Sequence, residues 1–330
     1  MAFRVDTQTK GGRTIAYLYD DSARASAAIS PSYGFNLFDL RLPVAGEVRP
    51  ILSADADFAE NPKRAGRNGI PILFPYPNRV RDGKYAFGGK SYQLPVTLGP
   101  NAIHGFALDT PWDVVEHKAL ADEAYIVGRF QISKNTPQYR ELWPTDAVLQ
   151  VRYGLAGRKL SMTVSVSNPT AEELPYGFGI HPYFRLPFAP GGDLAQTQVI
   201  LPAGKTWVLN EFLPTGETRP VDERLDFRKG QPIKGLKLDD VLTGLEFEGE
   251  RGVCRLVDLE KKAEFRLGYD RNFRELVAYT PPDAPDVISL EPYTQTTDAI
   301  NLQARGVDAG LRTLAHGKQD VLHITMETVG

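Results

Sequence analysis

The chemistry of this chain is concentrated in five short stretches. The first is Gly177-Phe178-Gly179-Ile180-His181-Pro182-Tyr183-Phe184, which sets one imidazole among glycine and aromatic residues. An imidazole titrates near neutral pH and serves as acid or base. Pro182 biases His181 away from the helical region towards an extended conformation. Alternate residues of an extended segment face alternate sides, so Gly179, His181 and Tyr183 share one face and Phe178, Ile180 and Phe184 the other. That face suits the floor of a ligand pocket; a hydrogen-bonded core histidine fits the same stretch.

The second stretch, Asn78-Arg79, ends a proline-rich run that begins at Gly69. An arginine fixed by a rigid loop presents a planar fork to a substrate oxygen, although a surface arginine satisfies the same pattern. The third, Asn101-Ala102-Ile103-His104-Gly105-Phe106, places a histidine beside a glycine, where a ligand approaches closely or a loop ties itself together. The fourth, Leu238-Asp239-Asp240-Val241, sets two carboxylates between apolar residues, as substrate ligands or as turn chemistry. The fifth, Ile288-Ser289-Leu290-Glu291-Pro292-Tyr293-Thr294, ends an apolar strand on a glutamate placed for acid–base work or simply opening a polar loop.

Other chemistries lack their signatures. No His-x-x-x-His or Cys-x-x-Cys pair offers zinc spacing, so no metal is expected. No Gly-x-Ser-x-Gly elbow and no phosphate-binding Gly-x-x-x-x-Gly-Lys loop occurs. The Gly-x-Gly at Gly177 opens no helix, so no dinucleotide cofactor is expected either. His117, His316 and His323 sit in ordinary amphipathic contexts and read as surface residues.

The elements that must position these stretches read as strands. Glycine (30) and proline (25) are spread through the 330 residues, and short alternating runs lie between them. Strands are expected at 13–20, 34–42, 84–87, 90–94, 146–153, 160–167, 198–201, 245–248, 253–259, 264–269, 276–279, 287–290 and 321–326. Gly88-Gly89 joins two of them in a primed turn. The segment 69–79 is too rich in proline for a helix and too apolar for a surface loop, so it is pinned in the core or forms a wall. Only 54–61 and 304–314 suggest helices. Antiparallel strands without alternating helices imply an all-β sandwich, read as one domain over residues 1–330.

Net charge is −3, with 42% hydrophobic and 24% charged residues and no block of like charge, which points to neither a nucleic-acid nor a membrane partner. The single cysteine, Cys254, and an N-terminus without an apolar signal core read as a soluble, cytoplasmic protein.

Taken in order, several motifs resemble those of the aldose 1-epimerase (galactose mutarotase-like) family, from about Gly69 to the C-terminus. They are Asn78-Arg79-Val80 with Gly83-x-Tyr85, His104-Gly105-Phe106 with Trp112, Gly179-Ile180-His181-Pro182-Tyr183-Phe184, Leu238-Asp239-Asp240-Val241, and Glu291-Pro292-x-Thr294 with Asp298-Ala299 and Asn301. The resemblance implies a large antiparallel β-sandwich of galactose mutarotase type (a supersandwich) with a sugar site on one sheet. It implies Glu291 as general base, His181 as general acid, and Arg79, His104, Asp239 and Asn78 as substrate-binding residues. It implies a small sugar as substrate and no cofactor.

The chain departs from that pattern at Arg185, where Asn is expected, and at Val277-Ala278, where a sugar-contacting Gln is expected. With Arg79, Arg81 and Arg185 in play, a hexose 6-phosphate is an alternative substrate. A sugar-binding protein without turnover and a carboxylate-pair hydrolase using Glu291 with Asp239 are the functional alternatives.

Overall fold

The computed structural model describes residues 2–329. Its strands are antiparallel and fall into two large sheets, a five-stranded meander over residues 3–50 and three two-stranded pairs. The nine-stranded sheet runs in spatial order Asp113–Ala119, Ala124–Gln131, Val148–Ala156, Lys159–Ser167, Gln319–Val329, Ala263–Asp270, Arg251–Asp258, Thr197–Ile200 and Gln231–Pro232. The eight-stranded sheet runs Leu213–Pro220, Ala203–Asn210, Asp239–Leu245, Glu275–Tyr279, Val287–Tyr293, Gly179–Ile180 and Ile72–Leu73, with Tyr183–Arg185 also on Val287–Tyr293.

The core lies between these sheets, and strand alternation decides who enters it. In Lys159–Ser167, Leu160, Met162, Val164 and Val166 are buried and the residues between them are half-exposed. From the facing sheet come Ile180, Phe184, Ile288 and Leu290. The Phe184 ring meets that of Phe265 with centroids 4.9 Å apart. The other face of the eight-stranded sheet carries the polar residues.

Three expectations shift. The segment 54–61 forms turns, and the C-terminal helix is Ala299–Ala304 rather than 304–314; the latter ends in the short strand Arg312–Leu314. The strand expected at 245–248 begins six residues earlier, at Asp239–Leu245, because its pairing with Glu275–Tyr279 begins at Asp239. Asp239 and Asp240 are therefore strand residues and not a turn. The Gly88-Gly89 turn is present, with φ of 57° and 77°. The proline-rich segment is both core and wall: its residues from Gly69 to Asn78 are buried, and Ile72–Leu73 closes the edge of the eight-stranded sheet.

Candidate active site

Register alone assembles the site. Gly179 pairs with Tyr293 and Tyr183 pairs with Ser289, so one continuous register puts His181 opposite Glu291. The ladder is interrupted there because Pro182 has no N–H to donate. On the next strand Val277 faces Glu291 and Glu275 faces Tyr293. Beyond it Asp239 faces Tyr279 and Val241 faces Val277. Period-two alternation thus sends Asp239, Val277, Tyr279, Ser289, Glu291, Tyr293, His181 and Tyr183 to one face.

A cavity of about 370 Å³ opens on this face, and all six residues singled out in the sequence line it: Asn78, Arg79, His104, His181, Asp239 and Glu291. Asp240 turns away to pair with Arg224 at 2.6 Å. Strand alternation therefore chooses between the two aspartates.

The electrostatics centre on His181 and Glu291. His181 Nε2 lies 3.2 Å from Glu291 Oε1. Its Nδ1 lies 2.8 Å from Ser289 Oγ, and Tyr183 stacks on its ring with centroids 4.6 Å apart. The Tyr183 hydroxyl donates to the Gly66 carbonyl, and the Tyr293 hydroxyl donates to Glu291 Oε2. Glu291 is 1% exposed and His181 7%. Burial holds the imidazole well below its ordinary value and the carboxyl well above its own, with the Tyr293 hydrogen bond opposing the second shift. The pair accordingly shares one proton and resists becoming doubly protonated.

His104 is held differently. The Asn78 N–H donates to His104 Nδ1 at 3.2 Å and the His104 N–H donates to the Asn78 carbonyl at 3.0 Å. A backbone N–H can only donate, so the neutral ring keeps its proton on Nε2. Burial and the nearby Arg79 push this histidine down to about 3, so it acts as a neutral donor. Asn78 Oδ1 accepts from the Arg79 backbone N–H at 2.8 Å and from Arg79 Nη1 at 3.1 Å, which fixes the guanidinium.

Sequence reading missed Arg67 and Tyr279 as cavity residues; Val277, at the place where the resemblance led to a sugar-contacting Gln, also lines the cavity. Arg67 donates to the Tyr279 hydroxyl at 3.4 Å and pairs with Asp283, more than 200 residues along the chain, so no local pattern marks it. The expected grouping of three arginines does not form. Arg81 lies 3.7 Å from Asp298, and neither it nor Arg185 lines this cavity. Among the described residues no three His, Cys, Asp or Glu side chains group as a metal site requires.

The family model for aldose 1-epimerase matches residues 17–326. The chain belongs to the aldose 1-epimerase family. It is 28% identical over 207 residues to mouse (Mus musculus) galactose mutarotase, covering 62% of this chain and 56% of that protein. It is 25% identical over 256 residues to the Escherichia coli protein YphB, covering 70% and 82%. A galactose mutarotase-like protein from Clostridium acetobutylicum has the same fold: TM-score 0.89 at 23% identity over 100% of this chain and 99% of the other. Among the described residues no helix is long and apolar enough to cross a membrane.

Proposed function

We propose that the chain interconverts the α and β anomers of an aldohexose by acid–base ring opening. One observation carries this reading: a glutamate and a histidine in hydrogen-bond contact inside a small cavity. The two oxygens that exchange protons, the C1 hydroxyl and the ring oxygen, are bonded to the same carbon. An acid and a base that serve them must themselves be neighbours, and this pair is.

The Glu291 carboxylate takes the C1 hydroxyl proton while the C1–O5 bond breaks with its electron pair to O5, which His181 protonates. The aldehyde turns about C1–C2, and the same groups reverse roles as the ring closes on the other face. The working ionisation follows from moving the shared proton from Glu291 to His181 across their contact. Tyr293 keeps Oε2 occupied, so the sugar hydroxyl meets Glu291 at Oε1, the oxygen that also faces His181 Nε2. Arg79 and the His104 Nε2–H stabilise developing negative charge on oxygen, and Asp239 accepts from hydroxyls.

A neutral sugar fits better than a phosphorylated one. Arg67 is committed to Asp283, so phosphate would meet Arg79 beside the Asp239 carboxylate. Polarimetry of freshly dissolved α-anomers of glucose and galactose tests the proposal. Acceleration over the spontaneous rate is expected. Sugar binding without acceleration would return the chain to a binding role.

A further inference from the structure

The tip of the outermost hairpin breaks a rule of turn chemistry. Asn210 pairs with Leu213, so Glu211 and Phe212 form a two-residue turn, with φ of 50° and 65°. Positive φ at both central residues is the type I′ pattern, which Asn-Gly suits and a bulky side chain resists. Phe212 is 53% exposed, so burial does not offset that strain. Strain of this kind persists where the surroundings hold it and function uses it.

The hairpin reaches the site from the far edge of the eight-stranded sheet. Leu213–Pro220 and Ala203–Asn210 are the first two strands of that sheet, and Ile72–Leu73 of the proline-rich wall is the last. A register shift between Trp207 and Leu209 bends the inner strand of the hairpin. Trp207 clusters with Val241, Val277, Tyr293 and Leu73, so an apolar band crosses the sheet from hairpin to wall. At the tip, the Arg79 guanidinium lies over the Phe212 ring, 4.9 Å from its centroid. Arg79 ends the wall, and this contact joins the two edges of the sheet. Arg79 lines the sugar cavity and Phe212 does not, so Phe212 can act there only through the guanidinium.

A planar guanidinium is fixed by two contacts of different kinds. Asn78 Oδ1 accepts from Arg79 Nη1 at 3.1 Å and holds one edge. An edge contact alone leaves the plane free to turn about that hydrogen bond. An aromatic ring against the face removes this freedom through a favourable cation–π contact. We propose that Phe212 is a positioning residue for Arg79, setting the tilt at which the guanidinium meets oxygen in the sugar cavity. Charge that develops in the transition state is stabilised by donors already aimed at it. The unusual turn then has a reason, because the relaxed Asn-Gly turn carries no ring. The proposal rests on the ring-opening reading for its effect on turnover, and on the Arg79 contact alone for its geometry.

Steady-state kinetics and thermal unfolding of the full chain test it. Phe212→Ala should lower kcat by roughly 3- to 10-fold with KM little changed, and Phe212→Tyr should restore it. Glu211→Asn combined with Phe212→Gly makes the favoured turn. That variant should unfold at or above the wild-type temperature while losing the same activity. A merely structural ring would move stability and activity together. In an Arg79→Ala background, Phe212→Ala should have no further effect on kcat.

Unchanged turnover in Phe212→Ala, or the same loss with Arg79 already removed, would overturn the proposal. So would a loss confined to KM, which would make Phe212 a sugar contact. If no sugar is turned over, the ring-opening reading fails by itself. The Nε–H proton resonance of Arg79, assigned by its absence in Arg79→Ala, then decides. Phe212→Ala should move it downfield by removing the shielding of the ring, and an unmoved resonance would refute the positioning role.

Discussion

His181 and Glu291 are neighbours across two adjoining strands, with Nε2 and Oε1 3.2 Å apart and both side chains buried. Strand register fixes this contact from both sides of Pro182, so the proposed acid and base are held by the sheet itself. Burial disfavours the charge on each, and the one-proton state of the pair is the state that can exchange protons with two oxygens on one carbon.

The pH profile of kcat/KM follows from the signs of the two shifts. A second proton joins the pair only well below the ordinary imidazole value of 6.5, so the acid limb lies well below that pH. The alkaline limb appears where the pair loses its shared proton, above the ordinary carboxyl value of 4.5. Glu291→Gln should abolish the acid limb, because only His181 can then hold a proton, and loss of that proton leaves the alkaline limb in place. An acid limb at pH 6.5 in the wild type would contradict the shared-proton pair.

Tyr293 acts through Glu291, and Gly179 acts through Tyr293. A Cβ at Gly179 would stand 2.3 Å from the Tyr293 ring, so Gly179→Ala must displace the group that donates to Glu291. Turnover should fall by about 10²-fold, with KM little changed. Tyr293→Phe should lower kcat by roughly 10-fold or more by removing a charge-assisted hydrogen bond. Steady-state kinetics separates the two constants, and a loss confined to KM would argue against positioning.

Glu275 is a second buried carboxyl on the same face, with Trp207 Nε1 donating to its Oε2 at 2.9 Å. Burial raises it from 4.5 to about 8. A carboxyl raised in the folded state binds its proton more tightly there than in the unfolded chain. Its stabilising contribution is full below pH 4.5 and is lost as pH rises towards about 8. Glu275→Gln should flatten the fall in unfolding temperature across that window and make the protein relatively more stable at its alkaline end. An unchanged slope in thermal melts at several pH values would contradict this.

Phosphate should bring no advantage. The sequence suggests an anionic pocket through Arg185, but that side chain does not line the cavity. Arg185→Asn should leave the ratio of glucose 6-phosphate to glucose efficiency unchanged, and neither enzyme should prefer the phosphate. A preference that disappears in Arg185→Asn would reinstate the anionic reading.

Much of the site was legible because it is built on strands. His181, Glu291 and their alternating neighbours follow from period two and from Pro182, and Asn78-Arg79 from the end of the proline wall. What sequence left open was long-range. Which of Asp239 and Asp240 faces the cavity depends on a register set by Glu275–Tyr279. Arg67 reaches the site through residues more than 200 positions away. Strands such as Asp113–Ala119, largely exposed, and the hairpin Ala203–Asn210 with Leu213–Pro220 carry weak alternation, and pairing partners rather than pattern make them strands. The fold sets His181 and Glu291 side by side, since cross-strand neighbours on one face must touch.

Turnover of Glu291→Gln and His181→Asn at saturating sugar, measured beside thermal unfolding, bears most directly on the shared-proton pair. Each variant should remain folded and lose roughly 10²- to 10⁴-fold in kcat, with binding less affected. The double variant should lose less than the product of the two, because both groups act in one step. Near-wild-type turnover in folded Glu291→Gln would contradict the assignment of Glu291 as the base.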